Sequence, residues 1–420
     1  MGIFAFVNKT LPGTPAEGAK TVLLAVTGMS PAVLTETVWA LAHEKPPLVP
    51  SRVIVLTTRT GREQIERELF SPQLAFGEEC VWDLLRERLE TDGHNLKGKL
   101  RFDPASSDDL RVLTRWDEGT HRKPPLDDIR TSEENEAAAN SILEVVRSIV
   151  ENPDTHLVAS IAGGRKTLGT LLYACMTLIG RETDRLTHVL VRESFDDPRL
   201  NPRFYFPGQP AAILKMPDGK TTVHAAEARI DLADIPFVPL RNLFARELSR
   251  MPGSFSALIA RCRQGIYERA ADEITLNVHR SRAEIEINGA RVRLAPKEQL
   301  VILFLTERAR NAEPAFGTYK EALDSLNGYR RNLRTEALAD NFSDWRRKEG
   351  LSTEMDDEAV RKAISGVRAK LKKSGSAAMA LLPFLPEPGR FSISLPGRQI
   401  ATAPEPALPS ATAGIARRSQ

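Results

Sequence analysis

The chain has 420 residues, of which 58 are Lys or Arg and 55 are Asp or Glu. This length favours two domains with separate cores, and the near balance of charge excludes a polybasic protein built to coat nucleic acid or membranes. Its three cysteines form no C-x-x-C motif, which excludes a disulfide framework and a cysteine zinc site. Since no apolar run is long enough to span a bilayer, we expect a soluble, cytoplasmic protein.

The first half of the chain alternates between short apolar runs and helical patterns. Residues 21–26 and 52–58 are predicted strands, followed by helices over 30–42 and 62–70. Further along, a helix is predicted over 132–150, a strand over 156–161, a helix over 165–179 and a strand over 186–191. The alternation indicates a mainly parallel, doubly wound sheet, so we predict a Rossmann-like α/β domain over residues 20–215 after an N-terminal extension at 1–19.

The alternation of short apolar runs and helical patterns ends after residue 215. We expect a basic helical linker at 216–270 and a smaller domain at 271–400, with a hairpin at Asn288-Gly289, helices over 297–309 and 357–373, and a wing strand over 389–395. That order predicts a winged helix-turn-helix. The segment 401–420 is rich in Ala, Pro, Ser and Thr without an apolar period, so we predict a disordered tail.

The segment Gly163-Gly164-Arg165-Lys166-Thr167 lies between a predicted strand and a predicted helix. Backbone N–H groups, the positive end of a helix dipole, a guanidinium and an ammonium would converge there, which is an arrangement that binds phosphate. The spacing is not that of a Walker A loop. The plainer interpretation is a glycine turn with solvated basic residues.

Two other polar turns follow predicted strands, at 27–30 and 57–61. Because the carboxyl ends of parallel strands meet at one crevice, Thr27, Thr58 and Arg59 could join Lys166 around a ligand. Taken singly, each hydroxyl fits a helix N-cap better than a ligand contact.

Four ordered motifs resemble a known family. T-G-M-S-P-A-V-L-T-E-T at 27–37, D-D-I-R-T at 127–131, S-I-A-G-G-R-K-T at 160–167 and G-R-E-T-D-R-L-T-H-V-L-V at 180–191 are similar to CARF-domain proteins of type III CRISPR systems. More narrowly, they resemble the ring nucleases historically grouped beside the CARF-HEPN ribonucleases. The resemblance covers residues 20–240, about half the chain.

The resemblance implies a homodimer that binds cyclic tetra- or hexa-adenylate across its two-fold axis. It also implies cleavage of that ring by attack of a ribose 2′-hydroxyl, without a metal or a cofactor, which would switch off CRISPR signalling. Lys166 would stabilise the developing charge and Ser30 would position the ribose or phosphate. The predicted ligand-binding residues are Thr27, Gly28, Met29, Thr58, Arg59, Gly163, Gly164, Arg165 and Thr167.

Other chemistries have weaker signals. Asp127, Asp128 and Asp184 could hold Mg²⁺, but solvated turn carboxylates are the better interpretation, and no histidine pattern supports metal binding or acid–base catalysis. Two R-x-H pairs of HEPN spacing, at 88–94 and 115–121, fit chance in an Arg-rich chain. We therefore predict no metal site and no HEPN active site.

The C-terminal part resembles, more loosely, the winged helix of response regulators, at 288–299 and 360–371. DNA is a candidate partner, with contacts predicted from Arg361, Ser365, Arg368 and Lys372 along one helix face. A structural or dimerising winged helix with a solvated basic face is an equal alternative. The rival function is thus a transcription regulator that responds to cyclic oligoadenylate without cleaving it.

Overall fold

The computed structural model describes residues 18–249, 253–339, 345–347 and 351–403. The chain divides into two compact units, Met1–Cys262 and Arg263–Gln420. No helix in the described part of the chain combines the length and apolar character that crossing a bilayer requires.

The described strands of the first unit build a six-stranded sheet in the order β3-β2-β1-β4-β5-β8 and a separate two-stranded sheet of β6 and β7. They are β1 (Lys20–Val26), β2 (Arg52–Thr57), β3 (Leu110–Val112), β4 (Thr155–Ser160), β5 (Arg185–Val191), β6 (Ile213–Lys215), β7 (Thr222–His224) and β8 (Ile230–Asp234). The pairs among β1 to β5 are parallel, and β8 runs antiparallel to β5. In β1, Leu24 faces Ile54 on one side and Ala159 on the other.

Helices cover both faces of this sheet. They are α1 (Ala32–Ala42), α2 (Arg59–Ile65), α3 (Val81–Thr91), α4 (Ser132–Val150), α5 (Lys166–Ile179), α6 (Ala245–Ser249) and α7 (Phe255–Asp272), of which α7 crosses into the second unit. Alternate residues of β1 serve the two layers: Leu24 packs with α4 and α5, whereas Leu23 packs with α1 and α3. Apolar strands buried on both faces are typical of a parallel α/β sheet, and the predicted Rossmann-like α/β class is confirmed.

Residues 216–270 differ from the expected helical linker. Its first half holds β7 and β8 with one short 3₁₀ turn at Ala225–Glu227 between them, and α6 and α7 follow. The run Ile230-Asp-Leu-Ala-Asp alternates like a strand that is half exposed, and β8 completes the sheet edge beside β5. An alternation of only five residues forms a strand when a neighbouring strand has a free edge to pair with. The sequence does not show that β5 has such an edge.

The second unit has, within its described residues, a four-stranded sheet in the order β11-β10-β9-β12. Its elements are β9 (Leu276–His279), β10 (Glu284–Ile287), β11 (Ala290–Arg293), α8 (Pro296–Arg310), α9 (Tyr319–Ala339), α10 (Asp357–Lys373), α11 (Ser376–Met379) and β12 (Ile400–Ala403). The hairpin turns at Asn288 and Gly289, both with positive φ (48° and 84°), as a type I′ turn requires.

The prediction of a wing strand at 389–395 is wrong. Phe391 makes an isolated bridge to Phe316, and the strand lies later, where β12 pairs in parallel with β9. Residues 401–403 therefore belong to a sheet and not to a disordered tail. They form a strand because β9 supplies hydrogen-bond partners, which the composition of the segment does not indicate. The rest of the predicted tail, and residues 1–17 of the predicted extension, lie outside the described residues.

Candidate functional site

Two turns meet at the carboxyl ends of β1 and β4. A Cβ added to Gly28 would lie 3.1 Å from the Cα of Gly164, and one added to Gly163 would lie 2.6 Å from the Thr27 Oγ1. Gly164 has a φ of +80°. Only glycine fits both this close approach and this backbone conformation, so the G-G pair is required to bring the two turns together.

Two cavities adjoin the 163–165 turn. The serine cavity, of about 660 Å³, is lined by residues that include Gly28, Met29, Ser30, Thr58, Arg165 and Arg203. The lysine cavity, of about 500 Å³, is lined by residues that include Gly163, Gly164, Lys166, Tyr173 and His188. Both are lined by Gly164 and Arg165. The two predicted catalytic residues thus line different cavities on a shared turn.

The hydroxyls of Thr27 and Thr58 make hydrogen bonds within the turns that hold them. Thr27 is fully buried and its hydroxyl donates to the Ser30 carbonyl (3.3 Å). Thr58 is the N-cap of α2, where its hydroxyl accepts from the Gly61 N–H (3.3 Å). Met29 lines the serine cavity with 60% of its surface exposed, whereas Thr167 is exposed and lines neither cavity. Capping explains the Thr58 position without a ligand.

The predicted phosphate-binding arginines already hold carboxylates. Arg165 makes two contacts with Asp128, one of them from Nε to Oδ1 at 2.6 Å, and this pairing holds the Asp128 pKa below its usual range. Arg59 pairs with Asp127 (Nε to Oδ1, 2.6 Å) and does not line the serine cavity. The D-D-I-R-T segment therefore supplies counter-ions to both arginines, which the sequence analysis did not foresee.

Lys166 differs from these arginines. It is the first residue of α5, it is exposed, and its side chain has no hydrogen bond or ion pair with any residue that the structure describes. A helix N-terminus carries partial positive charge, which adds to that of the ammonium. This end of α5 can therefore stabilise negative charge that develops on a bound group.

His188 enters the lysine cavity from β5. Its Nδ1 donates to the Val189 carbonyl (2.7 Å), because a carbonyl can only accept. In the neutral ring Nε2 is then an acceptor that can receive a hydrogen bond from a bound group. Histidine chemistry was not predicted from the sequence, because His188 is far from Lys166 along the chain and lies in a strand.

Arg203 is a residue that the sequence analysis missed. It lines the serine cavity, and its Nη2 donates to the Ser30 Oγ at 2.7 Å. Its Nη1 donates to Glu68 at 2.8 Å, and the Tyr205 hydroxyl donates to the same carboxylate at 3.2 Å. Arg203 lies 173 positions from Ser30, in the loop between β5 and β6, and no local pattern links the two.

Glu36 lies in α1 behind these groups. Its side chain is buried, with 6% of its surface exposed, and burial raises the pKa of its carboxyl to about 8 against the opposing field of Arg203. Asp196 raises the pKa further. Glu36 is therefore protonated at neutral pH and adds no charge beside Arg203.

The described residues hold no cluster of three or more His, Cys, Asp or Glu side chains that could bind a metal ion. The three aspartates considered as magnesium ligands have other partners: Asp127 and Asp128 pair with arginines, and Asp184 accepts from the Leu157 N–H (3.1 Å) and from Arg181 (2.8 Å).

In the second unit, α10 spans the predicted residues 357–373 and buries its apolar face. Of the predicted DNA contacts, Arg361, Ser365 and Lys372 are exposed, and Arg361 lies 3.5 Å from the Glu358 carboxylate. Arg368 is half-buried and donates to the Pro386 carbonyl (2.7 Å). Arg368 thus contacts the backbone of a segment outside α10, whereas the carboxylate beside Arg361 lies on the same helix.

Comparison with known proteins identifies a family. No curated protein matches the chain significantly in sequence. The crystal structure of protein VC1899 from Vibrio cholerae is similar over 84% of this chain and 68% of that chain, with 10% identity and a TM-score of 0.22, too low to carry an argument. The family model described as CRISPR-associated protein NE0113 (Cas_NE0113) matches residues 30–261, more than half of the chain, and this range includes the lining residues of both cavities except Thr27, Gly28 and Met29. The chain belongs to this CRISPR-associated family.

Proposed function

We propose that the protein is a ring nuclease of type III CRISPR systems, which binds cyclic oligoadenylate at a CARF dimer interface and opens the ring. The membership of a CRISPR-associated family and the resemblance of the four motifs support this proposal. The observation that carries it is Lys166, an ammonium without a partner among the described residues, at the N-terminus of α5 beside a glycine turn.

The proposed reaction is a transfer within the ring. The 2′-oxygen of an adenylate forms a bond to the neighbouring phosphorus, and the bond from that phosphorus to the 5′-oxygen breaks. The 2′-hydroxyl proton ends on the departing 5′-oxygen, so no water is consumed. The products are linear, with a 2′,3′-cyclic phosphate at one end and a 5′-hydroxyl at the other.

The main requirement of this transfer is to stabilise the negative charge that develops on the phosphate. Lys166 and the N–H groups of the turn stabilise the negative charge that builds on the phosphoryl oxygens. Ser30 and Arg203, in the adjoining cavity, hold a neighbouring part of the ligand so that the attacking and leaving oxygens stay in line. In a homodimer, the ring would span both cavities of each protomer. Each scissile phosphate would then lie in one lysine cavity.

The test is incubation of the purified protein with cyclic tetra-adenylate and cyclic hexa-adenylate in EDTA, with the products resolved by mass. We expect linear products that end in 2′,3′-cyclic phosphate from one of the rings, and none from the Lys166→Ala variant. Tight binding with the ring left intact would overturn the enzymatic proposal.

A second candidate is a transcription regulator in which the bound ring controls a DNA-binding winged helix. The exposed row of Arg361, Ser365 and Lys372 on α10 favours it, because such a row can contact phosphates from a groove. Glu358 lies close to Arg361 and Lys362 (3.5 and 3.0 Å), which reduces the positive field at the start of α10.

Fluorescence anisotropy on labelled duplex DNA, at two salt concentrations and with or without the ring, tests this candidate. We expect the Arg361→Ala/Lys372→Ala variant to bind more weakly and with a shallower salt dependence. Arg368→Ala is the comparison, since its contact lies within the fold. Equal binding by the Arg361→Ala/Lys372→Ala variant and the unmodified protein would argue against DNA contact through α10.

A further inference from the structure

Arg203 is built into the wall of the serine cavity. Its guanidinium donates to both oxygens of Glu68, at 3.0 and 2.8 Å, and to the Ser30 Oγ at 2.7 Å. Both members of the ion pair are largely buried, with 17% and 13% of their side chains exposed. Glu68 lies in a single π-helical turn, Glu66–Phe70, that continues α2. Such turns recur at functional sites.

The direction of the hydrogen bond to Ser30 is fixed by chemistry. A guanidinium has only donors, so the Ser30 oxygen must accept. The hydroxyl hydrogen of Ser30 is therefore free to donate to another group. Because Ser30 lines the serine cavity, an anionic or carbonyl oxygen placed there is the acceptor that suits it.

Arg203 also differs from Arg165 in how it is held. The pair of Arg165 and Asp128 has 51% and 29% of its side chains exposed, whereas Arg203 and Glu68 are more buried and Glu68 also accepts from the Tyr205 hydroxyl. Glu36, the buried carboxyl near Arg203, is neutral at pH 7 because burial raises its pKa to about 8. Arg203 thus keeps its geometry before any ligand arrives, which lowers the ordering entropy lost on binding.

We propose that Arg203 is an anion-binding residue of the serine cavity that also positions Ser30, so that guanidinium and hydroxyl together hold one phosphodiester of the ligand. This inference deepens the proposed function and rests on it, since the phosphodiester is that of a cyclic oligoadenylate. It assigns binding to the serine cavity and leaves the charge stabilisation of the reaction to Lys166.

The experiment measures Kd by calorimetry for cyclic tetra-adenylate and cyclic hexa-adenylate. The variants are Arg203→Met, which removes the charge, Arg203→Lys, which keeps the charge but cannot bridge Glu68 and Ser30, Ser30→Ala, and the Arg203→Lys/Ser30→Ala pair. Loss of one charge-assisted hydrogen bond corresponds to a roughly 10- to 100-fold weaker Kd, so we expect Arg203→Met at the upper end and Arg203→Lys at the lower end.

The Arg203→Lys/Ser30→Ala variant tests whether Arg203 affects the Kd by positioning Ser30. If Arg203 acts through Ser30, the pair of substitutions weakens the Kd no more than the stronger single one. Arg62→Lys is the matched control, because Arg62 pairs with Glu66 at 2.7 Å in α2 without lining the cavity, and we expect its Kd within about twofold of the unmodified value. Thermal melting of each variant checks that it is folded.

The outcomes separate the two proposals. If the unmodified protein binds neither ring, the proposed function is overturned and the role of Arg203 with it. If the protein binds a ring and the folded Arg203 variants bind it equally well, only the inference about Arg203 is overturned. If the effects of Arg203→Lys and Ser30→Ala add, Arg203 contacts the ligand but does not position Ser30.

Discussion

The serine cavity and the lysine cavity share one glycine turn but balance their charges differently. In the serine cavity the two lining arginines described above have carboxylate partners, Arg165 with Asp128 and Arg203 with Glu68. In the lysine cavity Lys166 has no such partner among the described residues, and it stands at a helix N-terminus. Carboxylates therefore offset the arginines of the serine cavity in part before a ligand arrives, since Arg130 and Arg165 share Asp128, whereas Lys166 keeps an uncompensated positive charge.

This difference in charge pairing suits the two cavities to two tasks, recognition and catalysis. A cation already paired gives modest net attraction but a fixed geometry, which suits recognition. A cation without a partner gives its full field to whatever charge develops beside it, which suits a transition state. We therefore expect substitutions in the serine cavity to change the Kd and substitutions of Lys166 to change the rate.

We expect Lys166→Ala to change the cleavage rate more than any other substitution of an ionisable residue considered below. Removal of one preorganised electrostatic contact corresponds to a loss of roughly 10²- to 10³-fold in kcat, while the Kd should change by less than about fivefold. Single-turnover cleavage and calorimetry measure the two quantities. Lys97→Ala, at an exposed lysine elsewhere, is the control. An equal loss in kcat and in affinity would remove the distinction between the cavities.

Next in size is Gly164→Ala, which acts on the shared turn. At a φ of +80° a Cβ is strained, and it would also lie 3.1 Å from the Leu168 Cδ1 and 3.3 Å from the Thr27 carbonyl carbon. We expect the free energy of unfolding to fall by roughly 2–4 kcal/mol, with both binding and cleavage lost.

Gly98→Ala is the matched variant for this substitution. Gly98 has a φ of +69° with nothing within 4 Å of an added Cβ, so it isolates backbone strain, which we expect to be about 1–2 kcal/mol. Urea denaturation measures both variants. If the two lose equal stability, contact between the turns is not what requires glycine at 164.

Glu36→Gln tests the buried carboxyl behind the serine cavity. The pKa of Glu36 is about 8 in the folded chain and near 4.5 in the unfolded chain, so between these values the folded state holds one more proton. The free energy of unfolding then falls as pH rises from about 4.5 to about 8. The glutamine variant lacks this fall, and we expect it to be more stable at pH 8 by on the order of 1–4 kcal/mol.

Denaturation midpoints at pH 5, 6.5 and 8 measure this difference. Glu63→Gln, at an exposed position in α2, should leave the pH dependence of the unmodified protein unchanged. A parallel pH dependence in the Glu36→Gln variant would show that Glu36 already ionises at neutral pH, and the serine cavity would then carry a further negative charge.

The smallest expected effect is that of Asp128→Asn. It frees Arg165 from its counter-ion, so the affinity for the ring should rise by up to about fivefold, the scale of an exposed ion pair. Asp92→Asn is the control, because neither Asp92 nor its partner Arg88 lines the cavity. Calorimetry at low salt is the measurement. A loss of affinity would instead mean that Asp128 holds Arg165 in its binding position.

Much of the fold follows from local sequence. The apolar runs of β1, β2 and β4 are long enough to demand burial on both faces, and the parallel sheet follows from their alternation with helices. The start of α4 is set by Thr131 and Glu134, which form a capping box, and the start of α10 by Asp356, whose carboxylate accepts from the Ala359 N–H. Their boundaries were predicted to the residue.

The glycine turn at 163–167 and the helix that starts there also follow from local sequence, because glycine and the change from a strand pattern to a helix pattern are local signals. Three features depend on the folded chain: which carboxylate pairs with which arginine, the hydrogen bond from Arg203 to Ser30, and the pairing of β8 with the edge strand β5. Those contacts join positions far apart in the chain. They depend on how the elements pack against one another, and neither periodicity nor composition carries that information.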